Sequence, residues 1–145
     1  MSAITKSITI SASPDRILAV LLDIEDYPNW QSDFDKVEVL ERDPQGRPKV
    51  AKVSVSADGH TASSTMSYEY LEQYRFEYFQ LEGDMMTRND ASYAVEPNGD
   101  GTVEVTITLG LDVKWPLPAE VIEAMVDKAV DDLLDTLKVK TEQAI

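Results

Sequence analysis

The sequence predicts an α+β fold in which a curved antiparallel sheet of about seven strands wraps around one long C-terminal helix. Apolar and polar residues alternate along most of the stretch from 34 to 113, and turn signals divide this stretch into short segments. After residue 118, apolar residues instead recur at steps of three and four. A sheet with one apolar face needs a cover, and this helix can supply it. Because the patterns run through all 145 residues without a linker or repeat, we expect one domain, 1–145.

The first 31 residues predict a strand followed by two short helices. Ile8 and Ile10 alternate with hydroxyl side chains, which is the period of a strand. The sequence Ser13-Pro14-Asp15 predicts a helix start, because serine caps, proline suits the first helical position and aspartate complements the helix dipole. Pro28 interrupts the apolar run that follows, so residues 14 to 31 are expected to form two short helical pieces.

Six further strands are expected between residues 34 and 113. Turns are predicted at 44–48, at Asp58-Gly59 and at 98–101, where glycine and proline cluster with polar residues. The last strand is the clearest, because its odd positions from Val103 to Val113 are all apolar. The C-terminal helix is expected from about residue 118 to 138. Its predicted core-facing stripe consists of Ile122, Met125, Val126, Ala129, Val130, Leu133 and Leu137.

Composition excludes several classes of function. The formal net charge is −14, with 13 basic residues against 27 acidic ones, so nucleic acid and anionic membrane surfaces are poor partners. The absence of cysteine excludes disulfides and thiolate metal sites. No run of 18 apolar residues and no signal-peptide pattern is present, so neither stable membrane insertion nor secretion is expected. We therefore expect a cytoplasmic protein.

Three parts of the sequence resemble the START-like (SRPBCC) superfamily, which includes birch pollen allergens and polyketide cyclases. Residues 8–17 resemble its first strand and helix start, residues 23–30 (DIEDYPNW) resemble its D-x-x-x-Y-P-x-W signature, and the long C-terminal helix lies where its gripping helix lies. The similarity is greatest to small actinobacterial polyketide cyclase/dehydrase and lipid-transport-like members. The resemblance implies a helix-grip fold and a hydrophobic small-molecule ligand, such as a lipid, a polyketide-like molecule or an isoprenoid.

Polar residues on otherwise apolar faces suggest where such a ligand could bind. Burying a hydroxyl or amide without a partner costs about 1–3 kcal/mol, so these groups either bond one another or orient a ligand in a cavity between sheet and helix. The inward-facing polar residues are Ser64, Tyr68, Tyr70, Tyr78 and Gln80. The predicted walls of the cavity are Met66, Tyr68, Tyr78, Gln80, Tyr93, Ile107, Leu109, Met125, Val126 and Ala129.

Apolar loop residues suggest an entrance to this cavity. Met85, Met86, Trp115 and Leu117 lie in two loops expected at its open end. Trp30, together with Tyr27 and Pro28, either lines the mouth or plugs that end of the core.

No catalytic constellation, metal site or cofactor site is predicted. His60 is the single histidine and follows a hairpin turn, while Asp131 and Asp135 are expected on the solvent face of the helix. Asp26 and Arg88 are the remaining charged candidates for acid–base chemistry. Three functions therefore remain open: a binder or carrier of a hydrophobic molecule, a cyclase or dehydratase, and a protein-interaction module with a filled cavity. The sequence leaves the oligomeric state undetermined.

Overall fold

A computed structural model describes residues 3–31, 34–57, 60–114 and 117–143. Its elements follow the predicted order of a strand, two short helical pieces, six strands and a long helix. They are β1 (Ala3–Ile10), α1 (Pro14–Leu22), a 3₁₀ helix (Ile24–Asn29), β2 (Phe34–Arg42), β3 (Pro48–Ala57), β4 (His60–Glu72), β5 (Arg75–Gly83), β6 (Met86–Pro97), β7 (Val103–Val113) and α2 (Ala119–Gln143).

The seven strands form one antiparallel sheet in the order β1-β7-β6-β5-β4-β3-β2. Every consecutive pair from β2 to β7 is joined as a hairpin, and β1 closes the series by pairing with β7. Together with α2, this sheet confirms the predicted helix-grip fold. The turn at 44–48 is held by the Asp43 carboxylate, which accepts the backbone N–H groups of Gln45 and Arg47 at 3.0 and 2.9 Å. The predicted Asp58-Gly59 turn lies outside the described residues.

The start of α1 follows the sequence signal. The Ser13 hydroxyl accepts the backbone N–H of Arg16 at 3.2 Å, and Pro14 occupies the first turn. Ile17 and Leu21, which are fully buried, direct one face of α1 into the core. The chain then tightens into the 3₁₀ helix, which contains Pro28.

The long helix differs from the prediction in which leucine it buries. Val126, Val130, Leu134 and Leu137 are at most 3% exposed, whereas Leu133 is only half-buried. The predicted stripe included Leu133 and omitted Leu134. Leu133 and Leu134 follow Val130 by three and four residues, so the helical period admits both to the apolar face, and the packing of α2 on β1 and β7 is what buries Leu134 more completely.

The C-terminal half of α2 is fastened to neighbouring elements, and it continues beyond the predicted end at residue 138. The Arg16 guanidinium donates to the Thr141 carbonyl at 2.9 Å and to the Lys140 carbonyl at 3.4 Å, which satisfies carbonyl groups that a helix end leaves without partners. The Glu142 carboxylate accepts the backbone N–H of Ser11 at 2.7 Å. These tertiary contacts explain the extension. Within the described residues, no helix has the length and apolar character needed to cross a membrane.

Two hydrophobic clusters lie on the inner side of the sheet. The main cluster joins α1, the 3₁₀ helix, the sheet and the second half of α2. The smaller cluster is built on Ala62, Met86 and Val113, near the beginning of α2. Ile122 and Leu111 pack against both clusters and so join them.

Candidate functional site

An internal cavity of about 30 Å³ lies between the inner face of the sheet and the two short helical pieces. Its size allows a water molecule and is far below the roughly 300–1,000 Å³ of typical ligand pockets. In the described part of the chain, α2 contributes no side chain to its wall. The lining residues are Leu21, Ile24, Tyr27, Phe34, Val37, Val53, Met66, Tyr68, Phe76, Tyr78 and Tyr93.

Aromatic rings from three neighbouring strands explain why this cavity is small. Tyr68 lies opposite Tyr78, and Phe76 lies opposite Tyr93, in the strand register. The Phe76 and Tyr93 rings stack with centroids 4.6 Å apart, and the Tyr68 and Tyr78 rings lie 5.5 Å apart. Inward-facing cross-strand pairs of this kind fill the interior with rings.

Three phenol groups nevertheless face this interior. No hydrogen-bond partner for the Tyr68 hydroxyl is found among the described residues. Burial raises the pKa values of Tyr68, Tyr78 and Tyr93, and the neighbouring Tyr93 and Tyr68 phenols add to the increase for Tyr78. Because all three pKa values lie above the ordinary value of 10, the phenols stay protonated at neutral pH and can donate hydrogen bonds.

A second part of the inner surface stays partly open to solvent. Five inward-facing residues of the sheet are only half-buried, although other inward-facing residues of the same three strands, such as Phe76, Ala91 and Ile107, are buried. We call these residues the inner strip; they are Tyr78, Gln80, Asn89, Leu109 and Leu111.

The first half of α2 lies over the inner strip without sealing it. Ile122 packs against both hydrophobic clusters, as Leu111 does, and Ile122, Met125 and Ala129 are all half-buried. Val121, one position before Ile122, is 40% exposed. From this incomplete burial of the inner strip and of the three helix residues we infer a shallow cleft between α2 and the sheet. Tyr78 belongs both to the cleft and to the cavity wall, so it connects the two.

A hydrogen-bonded network closes the far end of the cleft. The Ser64 hydroxyl donates to the Gln80 side-chain oxygen at 2.8 Å, and the Gln80 amide nitrogen donates to the Met86 carbonyl at 2.8 Å. Gly83 makes room for this arrangement, because a Cβ atom there would lie 2.5 Å from the Gln80 oxygen. Ser64 and Gln80 thus satisfy each other and the backbone, which was one of the two alternatives that the sequence left open.

The structure distributes the predicted site residues over three environments. Cavity positions are occupied by Met66, Tyr68, Tyr78 and Tyr93, and cleft positions by Tyr78, Gln80, Leu109, Met125 and Ala129. Ile107 and Val126 are each 1% exposed and belong to the main core, so the expected space between mid-helix and the last strand is filled. This differs from the prediction because α2 packs directly on β1 and β7.

Tyr70 and Trp30 lie outside both the cavity wall and the cleft. The Tyr70 hydroxyl donates to the Pro48 carbonyl at 2.5 Å, and its ring lies 3.9 Å under the Arg47 guanidinium carbon. Trp30 packs edge-on against Tyr27, with centroids 5.1 Å apart, and its buried indole N–H finds no hydrogen-bond partner among the residues that the structure describes. Tyr27 in turn donates its hydroxyl to the Leu21 carbonyl at 2.5 Å. These contacts make Trp30 and Tyr27 part of the packing around the 3₁₀ helix.

The predicted entrance residues are also dispersed. Met86 is 8% exposed and belongs to the smaller core cluster, while Met85 is half-buried and Leu117 is 36% exposed. Trp115 lies outside the described residues.

Sequence reasoning missed two groups of site residues. Asn89 shares the inner face of β6 with Ala91 and Tyr93, so the period of two along the odd positions was the signal that could have identified it. Phe34, Val37 and Val53 line the cavity from β2 and β3. Ordinary strand alternation predicts that they face inward, but only the curvature of the sheet brings them against the tyrosines.

The charged candidates for catalysis lie away from the cavity. The pKa of Asp26 is lowered by a hydrogen bond from Asn29 and by Lys140, whose ammonium lies 3.3 Å away. Arg88 pairs with Asp90 at 3.0 Å on the outer face of the sheet, and Asp131 is held by Lys6 at 2.8 Å. No cluster of three potential metal ligands occurs in the described part of the chain. The His60 side chain falls outside the described part.

Two solved structures show the same fold over nearly the whole chain. A START superfamily protein from Mycobacterium smegmatis superimposes with a TM-score of 0.89 at 22% identity, with 97% of each chain covered. The Zhui aromatase/cyclase from Streptomyces sp. R1128 gives a TM-score of 0.84 at 17% identity, with 98% of this chain and 94% of that one covered. No curated protein sequence matches the chain. The family model described as "Polyketide cyclase / dehydrase and lipid transport" matches residues 1–142. The chain therefore belongs to the polyketide cyclase/dehydrase and lipid transport family.

Proposed function

We propose that this protein binds or carries a hydrophobic small molecule, whose apolar body lies in the cleft and whose polar end points to the tyrosines. The half-buried inner strip carries this proposal. Leu109 and Leu111 lie on the core side of the sheet yet keep solvent exposure, and Met125 faces them with a flexible side chain. Covering such surface with a ligand is favourable by about 25 cal/mol per Å² of apolar area.

The family assignment supports this reading but does not identify the ligand. The family description includes lipid transport, and one structural relative is an aromatase/cyclase. A lipid, a polyketide-like molecule and an isoprenoid all fit an apolar cleft that ends in hydroxyl groups. Since the cavity holds only about 30 Å³, the ligand's polar end can enter only if Met66 and the surrounding rings shift.

The chemistry of the site favours binding over catalysis. A general base needs a pKa near the working pH, whereas burial raises the pKa values of Tyr68 and Tyr78 well above 10. These phenols can donate a hydrogen bond to a ligand oxygen without removing a proton from the ligand.

A protein-interaction module is the second candidate, and the small volume of the cavity favours it. If the tyrosine rings never separate, the interior is a solid core and the function lies on the surface. Native mass spectrometry of the gently purified protein separates the two functions. A bound small molecule supports the carrier, and a ligand-free mass with a tightly bound protein supports the module.

Filling the cleft provides the direct test. Ala129→Trp places a large ring between α2 and the inner strip, where the alanine is half-buried. We expect this variant to bind a fluorescent apolar probe at least about tenfold more weakly, since the ring occupies the surface that the probe would cover. Probe titration measures the affinity, and thermal unfolding monitors the fold.

Ala124→Trp is the matched control, because Ala124 lies on the exposed side of the same helix. This variant should bind the probe as the wild type does. Equal probe affinity in both variants would place binding elsewhere and contradict the proposal.

A further inference from the structure

We infer that the site selects uncharged ligands that carry a hydrogen-bond acceptor oxygen, and that it rejects carboxylates such as free fatty acids. This inference rests on the proposed function and specifies the ligand class. It follows from three observations: the types of residue that line the cavity and the cleft, the charges around them, and the Tyr68 hydroxyl, which has no hydrogen-bond partner among the described residues.

No charged side chain is found among the described residues that line the site. The cavity wall is made of apolar side chains and tyrosines, and the cleft adds the amides of Gln80 and Asn89. A carboxylate drawn into such surroundings would lose its hydration without gaining a cation, which is strongly unfavourable. A neutral carbonyl or ether oxygen loses much less hydration free energy when it enters the same surroundings.

The surrounding charges add to this selection. Asp23 acts electrostatically on Tyr27, and Asp90, which pairs with Arg88 at 3.0 Å, acts on Tyr78. Cations on neighbouring elements are held by carboxylates in the same way: Lys140 by Asp26 at 3.3 Å, and Lys6 by two aspartates of α2 at 2.7 and 2.8 Å. With a net charge of −14 on the whole chain, the field opposes the entry of an anion.

The tyrosines provide the donors for a neutral ligand. The Tyr68 hydroxyl has no hydrogen-bond partner within the described residues, and those of Tyr78 and Tyr93 interact with each other. A ligand oxygen beside Tyr68 would accept a hydrogen bond from its hydroxyl group. A ligand with an acceptor oxygen therefore fits the site.

Three probes of nearly equal size test the inference. 2-Acetylnaphthalene carries a neutral acceptor oxygen, 2-isopropenylnaphthalene has no acceptor, and 2-naphthoate is an anion at neutral pH. Competition against a bound fluorescent probe gives their relative affinities. We expect the acetyl compound to bind about fivefold more tightly than the isopropenyl compound, because one additional hydrogen bond contributes a binding free energy of that size. Naphthoate should bind at least about tenfold more weakly than either.

Tyr68→Phe should abolish the preference for the acetyl over the isopropenyl compound, measured as the ratio of the two affinities in the same variant. Tyr74→Phe is the matched control, because its hydroxyl donates to Asp15 at 2.9 Å, away from the cavity wall. This control should keep the preference of the wild type. If Tyr68→Phe also keeps it, the tyrosine is not the donor and the inference is overturned.

The outcomes separate the inference from the proposed function. If naphthoate binds as tightly as the acetyl compound and Ala129→Trp blocks both, the cleft binds ligands but does not select against charge. If none of the probes binds to the wild type, the proposed function fails and the inference fails with it.

Discussion

Replacing Leu134 with aspartate is expected to unfold the protein or to remove most of its stability. Leu134 is 3% exposed in the main core, between Val130 and Leu137 on the buried line of α2. An aspartate there would place a charge among apolar side chains without a partner, a change that costs more than about 4 kcal/mol. Since a domain of this size has about 5–15 kcal/mol of stability, such a loss is decisive. Urea unfolding followed by circular dichroism measures it.

Val139→Asp is the control for the charge itself, because Val139 lies on the same helix and is 56% exposed. This variant should unfold within about 0.5 kcal/mol of the wild type. If Leu134→Asp unfolds at the same urea concentration as the wild type, α2 does not pack on the sheet as described.

Alkaline unfolding is the second large effect. Tyr27, Tyr68, Tyr78 and Tyr93 have pKa values raised by burial above the ordinary value of 10, so the folded protein keeps protons that the unfolded chain releases. Stability from this source is fully present below pH 10 and decreases as the pH rises above it. Each buried tyrosine contributes about 1.4 kcal/mol per pH unit, so four of them remove about 5 kcal/mol per unit.

We therefore expect the protein to unfold cooperatively about one to three pH units above pH 10, with tyrosinate absorbance and circular dichroism changing together. In Tyr68→Phe, the slope of stability against pH above 10 should be less steep by about 1.4 kcal/mol per unit. If all six tyrosines of the chain ionise near pH 10 without a change in circular dichroism, the rings are not buried as the structure describes.

The small cavity and the alkaline unfolding depend on the same buried tyrosines. The same tyrosines that lose their protons only on unfolding also occupy the space that a ligand's polar end would need. Among the wall residues, Met66 is flexible and Tyr78 is half-buried, so we expect these two side chains to move when a ligand enters. Ligand binding should accordingly stabilise the protein while rearranging these side chains.

The sequence by itself determined the order and type of the elements, because the relevant signals are local. Strand alternation, the Ser13-Pro14 helix start and the apolar spacing of the last helix each act over a few residues, and the structure agrees with all three. The same alternation identified Tyr68, Tyr78 and Tyr93 as inward-facing, and they do meet in the cavity.

Only the tertiary structure decided which inward-facing residues meet and how much space remains between them. Direct packing of α2 on β1 and β7 turned Ile107 and Val126 into solid core and left the open surface at Asn89, Leu109 and Ala129. The extra length of α2 likewise depends on Arg16, which is more than 120 residues away in the chain. Period and composition show which face of an element is apolar, but the fit between two faces depends on sheet curvature and side-chain shape, which are properties of the assembled fold.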